Sequence, residues 1–475
     1  MSARLEDADF DGYRILERQK HAHLQDLMPS YPVRRDRLDR FRAMIERHAD
    51  AIVRAASEDF GHRARQETEM VDITITIVAI KHARRHLRRW MKARRVPTTL
   101  HNRPGYNRIL RQPLGTVGVI GAWNYPLYTV TGPAIDALAA GNRVMIKPSD
   151  LAPRSSELLQ RIVAEFFSED EMAVVTGGID VAKAFIELPF DHIIYTGSGA
   201  VGRQVAQAAA KNLVPVTLEL GGKSPVLLDD SCNMSLAAGR VMRAKLLNAG
   251  QTCVAPDYLM VSHARLDEAV KCLAAAVEQL YPKSIESPDY TSIVNDRHFA
   301  RLQGLLDDAR AKGARIVSLG GAVEHDAANR RMVPTLVLDV TEEMKIMREE
   351  IFGPLLPVMA YRRVEDALHY INCHDRPLAL YWFGEKRANR DQVLRGTISG
   401  GVTVNDCVWH VAQEGQPFGG VGPSGSGAYH GENGFRTFSK EKPVFFQSRV
   451  TGSSLLNPPY GKTFDFMMRV LKRVA

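Results

Sequence analysis

The N-terminal region, up to residue 92, places its apolar side chains at the spacing of an α-helix. Between residues 36 and 60, apolar groups three, four, seven or eight positions apart stand among charged residues: Leu38, Phe41, Ile45, Ile52 and Phe60. Gly61 and His62 interrupt this pattern, and a second helical stretch is predicted over residues 66–92. The region is therefore predicted to be helical, with one buried face on each helix.

After residue 113 the pattern changes to short β-rich runs that alternate with helical stretches. This alternation predicts a mainly parallel sheet and an α/β fold. The first predicted strands are residues 116–121, 143–147, 173–176, 192–195 and 214–218. The same pattern resumes after Gly222 and continues to about Gly420, which predicts a second α/β domain. The glycine-rich tract 419–427 is interpreted as a long turn that closes this domain.

The composition excludes several classes of protein. No apolar run approaches the roughly 20 residues that cross a bilayer, and the acidic N-terminus lacks the apolar core of a secretory signal. The cysteines are odd in number and have no metal-ligand spacing, so we expect a reducing cytoplasm, no disulfide framework and no metal site. They are Cys232, Cys253, Cys272, Cys373 and Cys407.

The net charge of +8 is concentrated in one segment, residues 81–95, with eight basic residues and no acidic one. Such a segment is typical of nucleic-acid binding or of a solvated helix face, whose buried stripe would be Leu87, Trp90 and Met91. Nothing else in the chain resembles a base-reading module. The second interpretation is therefore preferred, and no nucleic-acid partner is expected.

Cys253 follows a predicted helix over residues 234–247 and lies among small residues that would let a substrate approach its sulfur. Glu219 lies thirty-four residues upstream. A thiol nucleophile and a carboxylate base are the two groups that form and then hydrolyse a thioester. The alternative is that Cys253 only packs in the core, as most free cysteines do.

A glycine-rich turn between a predicted strand and a predicted helix indicates a nucleotide site. Gly197, Gly199 and Gly202 match G-x-G-x-x-G, which lets backbone amides approach a pyrophosphate. An acidic residue about 20 positions on would then hold the ribose. Glu219 has this spacing, so it is a candidate both for ribose binding and for catalysis. Lys147, at another strand end, is a second ribose candidate, unless residues 147–150 form only a solvated turn.

Seven short motifs in order give the chain a resemblance to the aldehyde dehydrogenase superfamily over roughly residues 35–450. Residues 253–258 and 429–431 resemble its class 3 branch, and residues 59–63 and 82–90 resemble the bacterial coniferyl-aldehyde dehydrogenases within that branch. The seven motifs are residues 122–126, 147–149, 196–198 with Gly202, 218–223, 250–253, 349–354 and 417–420.

The resemblance implies a three-part molecule and an NAD(P)-dependent enzyme. A Rossmann-like coenzyme domain would comprise residues 1–95, with the N-terminal helices, and 114–221. An α/β catalytic domain would comprise residues 222–421. A small β bridging arm and tail, residues 96–113 and 430–475, would form an oligomer, in this branch a homodimer.

The resemblance also implies roles for individual residues. Cys253 would be the nucleophile, Glu219 the general base, and the Asn124 side chain an oxyanion donor. On local sequence alone, Asn124 is as readily interpreted as a helix cap before Pro126. The family's use of the glycine-rich turn makes Gly199 incidental. The implied cofactor-binding residues are Trp123, Lys147, Ser149, Asp150, Gly197, Ser198, Gly202, Leu220, Glu350 and Phe352.

The substrate and the cofactor are predicted less directly. Aromatic residues in the segments that border the thiol favour an aromatic, coniferaldehyde-like substrate: Tyr125, Trp409, His410 and Phe418. A fatty aldehyde, or acylation of coenzyme A, is the alternative within the family. A carboxylate at Asp150 should repel a 2′-phosphate and favour NAD, but aspartate is shorter than the glutamate of many relatives, so NADP is also considered.

Overall fold

The computed structural model describes residues 10–320 and 324–474. A six-stranded sheet forms the first half of the fold, and its strand order is Gly425–Ser426, Val216–Glu219, His192–Thr196, Thr116–Ile120, Arg143–Lys147 and Met172–Val174. All pairs are parallel except the first. The parallel α/β sheet predicted from the sequence is confirmed.

Helices cover both faces of this sheet and form the N-terminal region. The helix Tyr128–Ala140 is buried along its whole length because it is apolar or small on every side. The other helices of this half are Gly12–Gln25, Tyr31–Arg47, Ala49–Phe60, Arg65–Thr68, Ile75–Trp90, Pro153–Phe166, Ile179–Ile186 and Gly199–Lys211.

A seven-stranded sheet forms the second half, in the order Arg315–Ser318, Thr335–Leu338, Leu355–Tyr361, Tyr258–Ser262, Pro225–Leu228, Ala379–Phe383 and Gly401–Val404. Only the first pair is antiparallel. Its helices are Met234–Leu246, Leu266–Leu280, Asp296–Ala311, Lys345–Arg348, Val364–Cys373 and Arg387–Gly396, and a small hairpin joins His325–Asp326 to Arg331–Met332.

A three-stranded antiparallel sheet projects from the two halves. Its strands are Arg94–Val96, Tyr106–Pro113 and Ser439–Phe446. The helix Gly431–Thr437 precedes the last strand and packs on the helix Tyr128–Ala140. The helix Lys462–Val474 ends the described chain. Within the described residues no helix is both long and apolar enough to cross a membrane.

The structure differs from the predicted elements in three places. The helix predicted over residues 36–60 is two helices that meet at His48. The stretch 66–92 contains a π-helical segment, Glu69–Thr74. The glycine-rich tract was expected only to close the second domain, but its strand Gly425–Ser426 pairs with Val216–Glu219 of the first sheet. The interpretation as a simple closing turn was therefore wrong.

The basic segment 81–95 forms the end of the helix Ile75–Trp90 and the strand after it. Leu87 and Trp90 are fully buried on one face, as the solvated-helix interpretation requires. On the other face, Arg84 forms an ion pair with Asp39, and Arg89 lies 3.4 Å from Glu432.

Candidate active site

The predicted cofactor residues lie at one edge of the six-stranded sheet, where its parallel strands end. Ile120 pairs with both Lys147 and Tyr195, and Thr196 pairs with Glu219. The chain order reverses between the strands Thr116–Ile120 and His192–Thr196. In open α/β sheets, ligands bind at the carboxyl edge beside such a reversal.

The loop before Cys253 has an unusual backbone. After the helix Met234–Leu246, three consecutive residues have positive φ: Asn248 at 54°, Ala249 at 52° and Gly250 at 78°. A Cβ at Gly250 would lie 2.3 Å from the carbonyl oxygen of Gly353, so glycine is required there. Left-handed conformations at non-glycine residues cost about 1–3 kcal/mol each, and persist where surrounding contacts enforce them.

Buried side chains from distant segments enforce this conformation. A Glu67 carboxylate oxygen accepts the backbone N–H of Asn248 at 2.9 Å, and its other oxygen accepts the hydroxyl of Thr291 at 2.5 Å. The Gln251 side-chain amide donates to the carbonyl of Ser292 at 3.1 Å and accepts the N–H of Val294 at 3.0 Å. Contacts with Glu67 and with the segment 292–294 therefore hold residues 247–253, here called the nucleophile loop, in one conformation.

Asn124 is part of the same network. Its side-chain amide donates to the Gln251 carbonyl at 3.1 Å, and its own carbonyl accepts the Asn248 amide at 3.0 Å. The following helix begins at Tyr128 with Leu127 as its N-cap, and Asn124 does not cap it. The helix-cap interpretation of Asn124 was therefore wrong, and its amide lies against the loop that carries Cys253.

Cys253 and Glu219, the two predicted reacting groups, both have raised pKa values. Burial is the main cause that raises the pKa of the Cys253 thiol to about 12, and the carboxylates of Glu350 and Glu219 contribute to that shift. Burial also raises the pKa of Glu219 well above its usual value. Among the described residues, neither carboxylate oxygen of Glu219 has a hydrogen-bond partner. Burial of a carboxylate without partners is costly, and such perturbed groups cluster at functional sites, which makes Glu219 a candidate proton acceptor.

Glu350 and Lys147 are two further charged groups near this edge. A Cβ at Gly221 would lie 2.2 Å from a Glu350 oxygen, and burial raises the pKa of Glu350 to about 8. The Lys147 ammonium donates to the Pro148 carbonyl at 2.8 Å. Burial lowers the pKa of Lys147, whereas the nearby charge of Asp150 acts in the opposite direction.

The glycine-rich turn has the geometry of a phosphate cradle. Ser198 caps the helix Gly199–Lys211 by accepting the Val201 N–H at 3.4 Å, and a Cβ at Gly202 would lie 2.7 Å from Leu220. At Gly199 an added Cβ would meet only Arg203, at 3.9 Å. The backbone amides of this helix start, with Lys147 and the unpaired oxygen of Glu350, fit a dinucleotide phosphate and ribose.

The aromatic rings of two more predicted cofactor residues are in contact. The rings of Trp123 and Phe352 are 5.3 Å apart at 69°, and His298 lies 5.0 Å from Trp123. Ser149 accepts the Leu151 N–H at 3.3 Å and so shapes the turn after Lys147.

The four predicted pocket residues are not equally close to the thiol. The Tyr125 hydroxyl hydrogen-bonds Thr252, next to Cys253. Phe418 stacks on His430 at 5.2 Å and pairs through its backbone with Tyr429. Tyr429 is buried. Burial raises the pKa of its hydroxyl, and the charges of Glu219 and Cys253 act in the same direction.

His410 and Trp409 lie further out. The His410 ring lies 6.1 Å from that of Tyr381, whose hydroxyl donates to the carbonyl of Val254, the residue after Cys253. Trp409 is 48% exposed and donates to Asp406 at 3.1 Å. The structure thus places Tyr125 at the thiol, and Trp409 at the surface.

Sequence analysis missed the groups that hold the site. Arg63 and Asp72 form a buried ion pair of 3.1 Å. Asp72 accepts the N–H of Tyr128 at 3.0 Å, and the Arg63 guanidinium lies 5.1 Å from the centre of the Tyr125 ring. Asp72 lies within the predicted helical stretch 66–92 and Arg63 within the motif 59–63, but neither was given a role. Glu67 and Tyr381 gave no sequence signal, because their partners are far away in the chain.

A thiol, a buried carboxylate without partners among the described residues and a strand edge suited to a dinucleotide are the groups expected of an oxidoreductase that forms a thioester. The aldehyde dehydrogenase family model matches residues 22–444. A probable coniferyl aldehyde dehydrogenase of Caulobacter vibrioides is 48% identical, over 94% of each chain. The coniferyl aldehyde dehydrogenase of a Pseudomonas species, strain HR199, is 46% identical, over 96% of this chain and 95% of that one.

The fold agrees with these sequence matches. The substrate-bound structure of Staphylococcus aureus AldH superimposes with a TM-score of 0.92 and 38% identity, over 96% of this chain and 99% of that chain. The chain belongs to the aldehyde dehydrogenase family, and it is an oxidoreductase that uses a nicotinamide dinucleotide to oxidise an aldehyde. The resemblance stated from the motifs is confirmed.

Proposed function

We propose that this enzyme oxidises an aldehyde, preferably aromatic, to the carboxylic acid through a thioester on Cys253 that Glu219 helps to hydrolyse. The observation that carries this proposal is the buried Glu219 carboxylate, which lacks partners among the described residues and whose charge contributes to the raised pKa of the Cys253 thiol. The reaction consumes an aldehyde, water and an oxidised dinucleotide. It yields an acid, a proton and the reduced dinucleotide.

The first step is attack on the aldehyde carbon. With its pKa raised to about 12, the Cys253 thiol must give its proton to a base, and the raised pKa of Glu219 makes that carboxylate a better acceptor than an exposed one. The sulfur then bonds to the carbonyl carbon, whose oxygen becomes negative. The Asn124 amide and the Cys253 N–H are the proposed donors to that oxygen, and one such donor contributes about 10²–10³ in rate.

Release of the acid completes the reaction. Lys147, Glu350 and the turn at Gly197 would hold the dinucleotide, which would supply the hydride acceptor. Glu219 gives the thiol proton to solvent before water attacks the thioester, and it then takes the proton of that water. Collapse of the adduct releases the acid and the Cys253 thiolate, which recovers its proton from Glu219. A coenzyme A-acylating enzyme would not need this base, so the buried Glu219 favours hydrolysis over acylation.

An aromatic, coniferaldehyde-like substrate is the preferred choice. It is supported by the relatives named for coniferyl aldehyde and by aromatic rings at Tyr125, Phe418 and Tyr429 around the thiol. Stacking contributes about 0.5–1.5 kcal/mol per ring pair, which gives preference but not absolute specificity. A straight-chain aldehyde is the alternative.

A substrate panel tests this choice. We expect kcat/KM to be higher for coniferaldehyde and benzaldehyde than for hexanal and acetaldehyde. Replacement of Tyr125 by Leu, which keeps an apolar side chain, should lower kcat/KM for the aromatic aldehydes more than for hexanal. A clear preference for hexanal in the wild-type enzyme would establish the aliphatic alternative.

The remaining proposals concern the cofactor, the assembly and the compartment. Asp150 near Lys147 favours NAD over NADP, since its charge would repel a 2′-phosphate.

The strand Ser439–Phe446 is an edge strand with Phe445 45% exposed, which suits pairing in a homodimer. The five free cysteines suit a reducing cytoplasm. The domain limits 1–95 with 114–221, 222–421, and 96–113 with 430–475 remain proposals.

A further inference from the structure

Arg63 is a buried cation that the reaction steps do not use. Its side chain is fully buried, and its guanidinium lies 5.1 Å from the centre of the Tyr125 ring and 5.3 Å from that of Phe60. Burial of a charge is costly unless an opposite charge compensates it. The charge of Arg63 acts on two buried carboxylates, Asp72 and Glu67. Arg63 is therefore a counter-charge that these two groups share.

Asp72 connects Arg63 to the segment that carries Asn124. The Asp72 carboxylate lies 3.1 Å from the Arg63 guanidinium. One of its oxygens accepts the backbone N–H groups of Leu127 at 3.3 Å and Tyr128 at 3.0 Å. Asp72 therefore holds the backbone three and four residues after Asn124, whose side-chain amide is one of the two proposed oxyanion donors.

Glu67 connects Arg63 to the nucleophile loop. The Glu67 carboxylate accepts the backbone N–H of Asn248 at 2.9 Å. Asn248 lies five residues before Cys253, whose backbone N–H is the second proposed oxyanion donor. The two donors thus belong to distant segments of the chain, and each segment is held by a carboxylate on which the charge of Arg63 acts.

The backbone next to Arg63 is fixed to a segment that also holds the nucleophile loop. The carbonyl of His62 accepts the N–H of Ser292 at 3.0 Å, and the carbonyl of Ser292 accepts the side-chain amide of Gln251 at 3.1 Å. Arg63 therefore has a defined position relative to the loop that carries the thiol.

We propose that Arg63 is a positioning residue, whose positive charge balances Glu67 and Asp72 and so aligns the two oxyanion donors on one substrate oxygen. This role rests on the proposed function, which supplies the two donors. Burial raises the pKa of both carboxyl groups, and the charge of Arg63 acts against that rise and favours their ionised forms. Ionised acceptors form hydrogen bonds roughly twice as strong as neutral ones. Loss of Arg63 should therefore weaken both backbone contacts together.

Removal of the charge tests this role. Arg63→Met should lower kcat about tenfold or more with little change in the KM for the dinucleotide, because displacement of a donor by about 1 Å can cost 10²-fold in rate. Arg63→Lys keeps the charge and should lose less. Arg37, which is also buried and lies 3.1 Å from Glu171, provides the control Arg37→Met, which should lower Tm but not kcat. An unchanged kcat in Arg63→Met, or equal losses in Arg63→Lys or Arg37→Met, would overturn the proposal.

A double-mutant cycle with Asn124→Ala distinguishes positioning from a general loss of structure. Asn124→Ala alone should lower kcat about 10²–10³-fold. If Arg63 aligns this donor, Arg63→Met should cost clearly less in the Asn124→Ala enzyme than in the wild type, because coupled residues have non-additive effects. Equal losses in the two backgrounds would overturn the positioning role only. An unchanged kcat in Asn124→Ala alone would overturn the donor assignment of the proposed function, and the positioning role with it.

A neutral triple variant tests the same role if Arg63→Met does not fold. Arg63→Met combined with Glu67→Gln and Asp72→Asn leaves no buried charge uncompensated, and the amide oxygens can still accept the same N–H groups. We expect this variant to fold, with kcat within about tenfold of the wild type and above that of Arg63→Met. A lower kcat, or failure of the triple variant to fold, would show that Arg63 contributes more than charge balance and would overturn the proposal.

Discussion

Side-chain hydrogen bonds hold the nucleophile loop, whereas none among the described residues holds the Glu219 carboxylate. The loop, residues 247–253, has hydrogen bonds to Glu67, Ser292, Val294 and Asn124 and maintains a backbone that few residues adopt unaided. Glu219 has a fixed backbone, paired with Thr196 and Gly425, but its carboxylate has no hydrogen-bond partner among the described residues.

This difference matches two different tasks. A nucleophile must be presented to the aldehyde in one geometry, and a misplacement of about 1 Å can cost 10²-fold in rate. A base that first accepts a thiol proton and later a water proton must serve two positions. A carboxylate without fixed partners can do so, and burial keeps its pKa high enough to hold a proton.

Removal of the nucleophile should have the largest effect. Cys253→Ala should abolish aldehyde oxidation and leave dinucleotide binding nearly intact, because no thioester can form. Steady-state turnover and a cofactor titration measure the two effects. Cys272→Ala, at another partly buried cysteine, is the control and should retain activity. Substantial oxidation by Cys253→Ala would show that the thiol is not the nucleophile.

Loosening the loop should have a smaller effect. Glu67→Ala leaves the buried N–H of Asn248 without an acceptor, a cost of about 1–3 kcal/mol. We expect kcat to fall roughly tenfold or more with little change in the KM for the dinucleotide, and a lower Tm. Glu67→Gln keeps an acceptor oxygen and should restore most of kcat. If Glu67→Ala lowers Tm but not kcat, Glu67 supports the fold and does not position the thiol.

Replacement of Asp150, at the sheet edge where the cofactor is expected to bind, should have the smallest effect. Asp150 is exposed, so solvent screens its charge, and Asp150→Ser should shift the ratio of kcat/KM for NADP over NAD upward only several-fold. The ratio is measured with both cofactors on the same preparation. An unchanged ratio would place the 2′ position of the ribose away from this carboxylate.

The sequence predicted the fold and the reacting groups better than it predicted the residues that hold those groups in place. Alternating β and helical runs predicted the parallel sheet, and motifs predicted that Cys253 and Glu219 belong to one site. The left-handed turn at Asn248 and the role of Glu67 depend on contacts between segments about 180 residues apart, which no local pattern encodes. Trp409, whose indole N–H donates to Asp406, lies at the surface, and its aromatic type did not predict this.

A single-turnover experiment on Glu219→Gln tests the central claim most directly. If Glu219 is the base for hydrolysis, this variant should still release a burst of reduced dinucleotide, slowed because the thiol proton must go to solvent instead of Glu219, after which the acyl-enzyme accumulates and is visible by mass spectrometry on Cys253. Glu350→Gln is the control, and should weaken dinucleotide binding without accumulating acyl-enzyme. If Glu219→Gln instead shows only weaker dinucleotide binding and no acyl-enzyme, Glu219 holds the ribose and the proposed division of tasks is wrong.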